Sequence, residues 1–144
     1  MELTKFSDYS LRTLIYLGIN EERVVPLLEI SEAYSISRNT LAKISNFLSQ
    51  HEVIISSRGN QGGVRLAKAA EDINIGTLVR KTESHIPLVE CFASDGGSCC
   101  INKCCTLKGV LRSAENAFYK ELEKYSLADL ITGKSRIREA FGIG

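Results

Sequence analysis

No stretch of this 144-residue chain approaches the run of about 18 apolar residues that a membrane-spanning helix needs. The opening Met1-Glu-Leu-Thr-Lys5 lacks an apolar leader core and a cleavage site, so a cytoplasmic location with reduced thiols and no membrane association is expected. Bulk charge of either sign is missing too: 18 Lys and Arg against 17 Asp and Glu leave a net charge of +1, and there is no acidic tail or low-complexity segment. Composition therefore announces no nucleic-acid partner, and charge has to be read locally. No Ser-His-Asp set and no acid–base pair stands out, which argues against an enzyme. Cysteine is absent from positions 1–90 and 106–144, which leaves no second arm for the paired Cys-x-x-Cys arrangement of structural zinc.

All five cysteines fall in the stretch Cys91-Phe-Ala-Ser-Asp-Gly-Gly-Ser-Cys99-Cys100-Ile-Asn-Lys-Cys104-Cys105. Gly96 and Gly97 let the backbone fold back there, so that thiolates on one loop can converge on a soft metal. Three chemistries compete. A disulfide framework needs an oxidising compartment, structural zinc favours two ligand arms, and an iron–sulfur cluster accepts thiolates irregularly spaced on a single loop. The last suits the spacing best. Vicinal pairs such as Cys99-Cys100 and Cys104-Cys105 cannot easily aim both sulfurs at one centre, so at least two of the five are expected not to be ligands.

Between Arg38 and Lys68 the cations Arg38, Lys43, Arg58, Arg65 and Lys68 face the single acid Glu52, a local excess in a balanced chain. Pro26 marks a helix start, and Leu27–Tyr34 follows with Leu27, Ile30, Ala33 and Tyr34 at helical spacing. Ser35-Ile36-Ser37 breaks it, and Ser37 is a suitable N-cap for a second helix from Arg38 to about His51. In that helix Leu41, Ile44 and Leu48, joined by Phe47, form one face, with Asn39, Lys43, Asn46 and Gln50 opposite. Two helices around a three-residue turn, the second bearing amides and cations, are what a helix-turn-helix needs to reach base edges; an ordinary helical hairpin with a solvated face is the alternative.

Strand-like Val53–Ser57 and Val64–Lys68 flank the glycine-rich turn Arg58-Gly-Asn-Gln-Gly-Gly63, a hairpin placed where a winged helix carries its wing. Nucleotide binding by that turn is disfavoured, because it joins two strands and lacks a P-loop lysine. Candidate DNA-contacting residues are Arg38, Asn39, Thr40, Lys43 and Asn46 on the helix, with Arg58, Asn60, Gln61 and Arg65 on the wing.

The remaining segments supply a frame. Thr4 to Gly18 reads as a helix, with Phe6, Leu14, Ile15 and Leu17 apolar and Asp8 and Arg12 spaced as an i,i+4 ion pair. Ile73 to Lys81 reads as a short amphipathic helix. A long helix from Leu107 to about Tyr125 carries Leu107, Leu111, Ala114, Phe118, Leu122 and Tyr125 along one stripe, which a two-fold dimer could cover. Ser126-Leu-Ala-Asp129 looks like a capping sequence. The expected fold class is mainly α with a small β-wing: a winged helix-turn-helix DNA-binding domain over 1–82, a cysteine-rich cluster-binding loop over 83–106, a dimerisation helix and C-terminal turn over 107–132, and a mobile tail over 133–144.

The opening Leu3-Thr-Lys-Phe-Ser-Asp-Tyr-Ser-Leu-Arg12, the wing Arg58-Gly-Asn-Gln-Gly-Gly-Val-Arg-Leu66, the cysteine loop and Tyr125-Ser-Leu-Ala-Asp-Leu130 together resemble a family of dimeric winged-helix regulators. That family includes nitric-oxide-sensing iron–sulfur repressors, whose motifs these are most similar to, and the cluster-biogenesis regulator IscR. The resemblance covers about residues 1 to 132. It implies an iron–sulfur cluster of 4Fe-4S type, with 2Fe-2S as the alternative, ligated by Cys91, Cys99 and Cys105 and by Asp8 of the partner subunit. Cys100 is a substitute for Cys99, because the gap after Cys91 is slightly longer than usual, and Cys104 is an extra. IscR-like members place a histidine where this chain has Lys108, and His51 and His85 lie elsewhere, which weakens that branch. The resemblance further implies a homodimer, a palindromic double-stranded DNA operator, and nitric oxide as the signal that relieves repression of detoxification genes. The competing functions are a cluster-free cysteine redox regulator and an IscR-like sensor of cluster or iron supply.

Overall fold

Helix α1 (Lys5–Ile19) starts where the Thr4 hydroxyl accepts the Ser7 N–H at 3.1 Å. In this computed structural model, which describes residues 1–144, it buries Leu14, Leu17 and Ile19. Ser10 and Thr13 are buried beside them because their hydroxyls donate to the Phe6 and Tyr9 carbonyls, each at 2.7 Å. Helix α2 (Leu27–Tyr34) follows Pro26 and stops at Ser35, whose φ of 54° is left-handed. Helix α3 (Arg38–Gln50) begins at Ser37, whose hydroxyl accepts the Thr40 N–H at 3.2 Å. Its Leu41, Ile44 and Leu48 are each 0% exposed, a burial that removes about 1.5–3 kcal/mol of apolar exposure per side chain. The helix pair, the three-residue turn and the cap all match the sequence expectation.

Strands β1 (Ile54–Ser57) and β2 (Gly63–Leu66) pair antiparallel, Ile54 opposite Leu66 and Ser57 opposite Gly63. The hairpin does not stand free. Val64 exchanges two backbone hydrogen bonds of 2.8 Å with Val25, the residue that leads into α2. Gly63 is what allows this approach, since a Cβ there would lie 2.3 Å from the Val25 carbonyl oxygen. The wing is therefore tied by backbone to the start of the helix-turn-helix, a bridge with no side-chain signature in the sequence.

Two compact units divide the chain differently from its linear order. The first joins Met1–Asn74 to Ser126–Gly144, and the second is Ile75–Tyr125. In the first, Ser126 and Asp129 form the expected capping box for helix α6 (Leu127–Leu130; α4 and α5 belong to the second unit), and Leu127 and Ile131 are buried. The segment expected to be a mobile tail is instead helical, α7 (Lys134–Ala140). The physical reason is a set of fixed partners: Phe141 packs its ring against Tyr16 and Tyr34, and Arg138 donates to the Ile19 carbonyl at 2.6 Å.

In the second unit, α4 (Ile75–Thr82) buries Ile75, Leu78 and Val79 and packs on α5 (Thr106–Leu122). Arg80 of α4 lies 4.2 Å over the Tyr119 ring and 3.1 Å from Glu123. The single apolar stripe expected of α5 is split. Leu111, Phe118 and Leu122 are half-buried, whereas Leu107 and Val110 are 60% and 58% exposed and no α5 residue is fully buried. Leu107, Val110, Ala114 and Ala117, spaced i, i+3, i+7 and i+10, form an exposed apolar line of their own.

The register of α3 is directly testable. Leu41→Ala is expected to lower unfolding stability by about 2–5 kcal/mol, while Lys43→Ala two positions on changes it by no more than about 0.5 kcal/mol. Urea denaturation of the two variants checks this; equal losses would mean that α3 presents a different face.

Candidate functional site

The first candidate surface is the outer face of α3 with the wing. Arg38, Asn39, Lys43 and Asn46 are exposed, as are Arg58, Asn60, Gln61 and Arg65 around the hairpin turn. Thr40 is half-buried and its hydroxyl lies 2.8 Å from Ser37 Oγ, so it also serves the helix cap. Every ion pair in the chain involves other residues, which leaves these cations for an external anion. Two serines the sequence reading passed over hold helix and wing together: Ser49 Oγ and Ser45 Oγ lie 3.1 and 3.4 Å from Ser56 Oγ of β1. Their signal was available as an i,i+4 serine pair on the flank of α3 nearest the strand. Exposed amides and guanidinium groups on a rigid helix can bond base edges and phosphates, and a hairpin beside it can follow the backbone.

Asp8 stands on α1 in the ion pair anticipated from spacing. Arg12 engages both carboxylate oxygens, Nη2 to Oδ2 at 2.8 Å and Nε to Oδ1 at 3.0 Å. Both side chains are half-exposed, so the pair adds little stability. The guanidinium also lies 5.9 Å from the centre of the Tyr34 ring. Burial pushes the Tyr34 hydroxyl up to about 12, with Arg12 opposing and Asp8 adding to the shift.

The cysteine loop lies within the second unit. Cys91 sits half-buried in a 3-10 turn over Glu90–Phe92, Cys105 half-buried at the N-cap of α5, and Cys99, Cys100 and Cys104 are exposed; all five are free thiols. Polar side chains shape the loop. Glu90 Oε1 accepts both the N–H and the hydroxyl of Ser98 at 2.8 Å. Asn102 donates to the Gly96 carbonyl at 2.6 Å and accepts from Lys108 Nζ at 2.5 Å. Gly96 and Gly97 take the positive φ values of 78° and 67° that the folding-back requires, and a Cβ on Gly97 would meet Glu90 Cγ at 2.8 Å. The part that Glu90, Ser98, Asn102 and Lys108 play in shaping the loop was not legible from sequence. The clue that was present is the pairing of acceptor and donor residues around two glycines.

The structure does not gather the proposed ligands. Within this one chain no three His, Cys, Asp or Glu side chains form a metal-holding group, so Cys91, Cys99 and Cys105 do not stand as a preformed trio, nor does the trio with Cys100 in place of Cys99; the Asp8 of the expectation belongs to a partner subunit and is not part of that trio. Thiols are weak donors and acceptors that do not draw one another together, and the loop's shape follows its amide and carboxylate bonds instead. The donor set nevertheless fits a soft metal or cluster chemically: five uncrosslinked thiols, none fully buried, on one glycine-hinged loop.

The family model for Rrf2, iron-dependent transcriptional regulators, matches residues 3–133. A Bacillus subtilis protein named HTH-type transcriptional regulator NsrR is 44% identical over 138 residues, 95% of this chain and 94% of that protein. A protein of the same name from Halalkalibacterium halodurans is 41% identical over 139 residues, 96% and 95% of the two chains. Among solved structures, T. potens IscR superposes with a TM-score of 0.73 at 22% identity, covering 92% of this chain and 88% of that one. CymR, the global cysteine regulator of B. subtilis, gives 0.67 at 24% identity over 92% and 97%. At these identities the two structures bear on the fold alone, and both match its helices and two-stranded wing.

The Glu90–Ser98 bracket carries a pH signature. The Ser98 N–H, and after it the Ser98 hydroxyl, hold the Glu90 carboxyl below the usual glutamate range. A depressed carboxylate keeps its bonds above its ordinary pKa and loses them as pH falls through the folded value. In an acid titration followed by NMR, the Ser98 amide should therefore shift with a midpoint below the ordinary glutamate value, and Glu90→Gln should remove the step. A midpoint at the ordinary value would mean that the bracket does not form.

Proposed function

Because this chain belongs to the Rrf2 family of iron-dependent transcriptional regulators, we propose that it is a repressor whose grip on a palindromic DNA operator is set by an iron–sulfur cluster and relieved by nitric oxide. DNA binding is carried by one observation: the outer face of α3 presents Arg38, Asn39, Lys43 and Asn46 to solvent while Leu41, Ile44 and Leu48 anchor its inner face at 0% exposure. In the proposed complex α3 lies in a major groove, with its amides and cations reading base edges, and Arg58 and Arg65 of the wing neutralise phosphates. The chain is not an enzyme; its relatives are named transcriptional regulators, and no helix is long and apolar enough to cross a membrane. The proposed place of action is the cytoplasm, with the DNA.

A homodimer is part of this reading. The exposed line Leu107, Val110, Ala114 and Ala117 on α5 supports it, since a second copy related by a two-fold axis would cover the same line on both helices. Such a dimer sets two copies of α3 at half-sites roughly 34–36 Å apart.

Cys91, Cys99 and Cys105 would hold the cluster, with Asp8 of the partner subunit as the oxygen ligand and Cys100 as the alternative to Cys99. Support for this comes from the thiol set of the loop, from the motifs it shares with nitric-oxide-sensing repressors, and from the relatives named NsrR. When bound, the cluster would supply iron able to react with nitric oxide. Asp8 would take up that role with Arg12 already bonded to both of its oxygens, using a lone pair that the guanidinium leaves free. An oxygen donor on a soft centre is held less firmly than a thiolate, which suits a releasable ligand. A second reading, a cluster-free cysteine regulator, draws on the vicinal pairs Cys99-Cys100 and Cys104-Cys105, where three thiols are exposed and Cys105 is half-buried, and which could form disulfides on oxidation.

Anaerobic purification with iron and sulfide analysis separates the two. The cluster reading expects roughly four irons per chain for a 4Fe-4S centre, lost together with DNA affinity as nitric oxide is added. Cys91→Ala, Cys99→Ala and Cys105→Ala should each abolish iron binding, and Cys104→Ala should keep it. An iron-free protein whose DNA affinity follows peroxide oxidation would sink the cluster and establish the thiol switch. On the DNA side, Arg65→Ala should weaken binding across sequences and lower the salt slope by about one; an unchanged slope would remove Arg65 from the phosphate contacts.

A further inference from the structure

Helix α7 lies outside the residues matched by the family model, which end at 133, yet it is built into the DNA-binding unit. The Phe141 ring stands edge-on to Tyr16 of α1, with centroids 5.2 Å apart, and to Tyr34, the last residue of α2, at 5.1 Å. Tyr16 and Tyr34 are themselves 6.1 Å apart and near edge-on, so three rings close on one another. Arg138 adds a polar anchor at the same place. Its Nη1 donates to the carbonyl of Ile19, the last residue of α1, at 2.6 Å, and reaches Asn20 Oδ1 at 3.4 Å and Glu22 at 3.7 Å.

Both contacts answer needs that the rest of the unit leaves open. The last carbonyls of a helix lack partners within it and carry partial negative charge, which a nearby cation satisfies. Helix α1 has no basic residue in its own last turn, and Arg138 supplies the guanidinium from the far end of the chain. Tyr34 directly precedes the turn Ser35–Ser37 that launches α3. Whatever fixes the Tyr34 ring therefore fixes the direction in which the recognition helix leaves α2. Glu29 of α2 is bound from the α1 side by the Tyr16 hydroxyl at 2.8 Å and by Arg23, whose guanidinium chiefly holds that carboxyl below its ordinary range. That hub secures the start of α2, and the Phe141 ring secures its end.

We propose that α7 is an intramolecular clasp in which Phe141 and Arg138 act as positioning residues, holding the end of α2 against α1 so that α3 is pre-set for its operator. The proposal rests on the DNA-binding reading above. Pre-setting acts on sequence reading more than on phosphate attraction, because base-edge bonds demand a fixed helix pose and long-range charge does not.

The test uses the full chain with Phe141→Ala, Arg138→Ala and the conservative Phe141→Tyr. The probes are a palindromic DNA selected by the unaltered chain from a randomised pool and a scrambled duplex of equal length. Loss of two aromatic pairs should weaken binding to the selected DNA by at least about fivefold, with scrambled-duplex binding and the salt slope unchanged and Phe141→Tyr restored to near the unaltered value. Amide exchange over residues 35–40, measured without DNA, should quicken in Phe141→Ala. Equal losses on both duplexes would reduce α7 to a merely stabilising element and overturn the proposal, as would unchanged affinity and exchange. Should the unaltered chain select no DNA, the DNA-binding reading fails, and the exchange measurement still decides whether Phe141 restrains the turn.

Discussion

The complete removal of Leu41, Ile44 and Leu48 from water is the constraint on which the rest of this molecule turns. With an α-helical repeat of 3.6 residues, burying those three side chains forces Asn39, Lys43, Asn46 and Gln50 onto the opposite side. No separate device is needed to present the polar face, because packing presents it. The wing inherits its position from the same core. Ile54 and Val64 are buried with α3, the serine bonds from α3 reach Ser56, and the double backbone bond between Val25 and Val64 ties the hairpin to the entrance of α2.

The two compact units combine the same forces in different proportion, since α4 of the second also buries Ile75, Leu78 and Val79. In the first, long aliphatic side chains from α1, α3 and α6 are fully buried, and polar groups inside it are bonded, with no buried side-chain nitrogen or oxygen left without a partner. In the second, α5 buries nothing completely, and cation–ring and carboxylate contacts carry much of the organisation: Arg80 over Tyr119, Arg112 at 3.6 Å from the centre of the Phe92 ring, Glu90 on Ser98, Asn102 on Gly96 and Lys108. Contacts of this kind are individually modest and respond to pH, salt and competing ligands, whereas buried aliphatic packing does not. A cysteine loop placed on the second kind of scaffold can rearrange at small cost, while the first unit keeps the exposed face of α3 fixed by its buried one. That division accords with a regulator in which one part reports and another part binds.

Legibility from sequence followed the same line. The helix-turn-helix, the Ser37 cap, the wing and the Ser126 capping box were readable because each is a local pattern: apolar period, cap residue, glycine turn. What escaped depends on partners distant in the chain. The Val25–Val64 bridge is made by backbone atoms, and the one residue it requires, Gly63, reads in sequence as part of the hairpin turn. Helix α7 looked like a loose end because Ile137, Arg138 and Phe141 make a stable segment only when α1 and α2 offer Tyr16, Tyr34 and a free helix terminus. The α5 stripe was read as one face and is two, since an apolar residue facing α4 and one facing outward look alike in a one-dimensional pattern. For the cysteine loop, residue type announced the chemistry and spacing could not settle the geometry. The carboxylate and amide bonds that shape the loop compete with no thiol interaction of comparable strength.

The outward line on α5 imposes a physical demand. A 17-residue helix is only marginally stable by its own hydrogen bonds in water and draws its stability from whatever covers its apolar side. Here α4 packs on α5, whose Leu111, Phe118 and Leu122 are half-buried, while Leu107 and Val110 stay more than half exposed. Isolated exposed aliphatic residues need no explanation, but four apolar positions at heptad-like spacing form a seam. Ala114 and Ala117 at its C-terminal end are small enough for a second backbone to come close, and Leu107 and Val110 at its N-terminal end supply the area. A seam of this form is self-complementary under a two-fold axis, because an antiparallel copy sets the large residues of one helix beyond the small residues of the other. The cysteine loop ends at Cys105, immediately before that seam, so any pairing of α5 helices acts at once on the segment that carries the thiols.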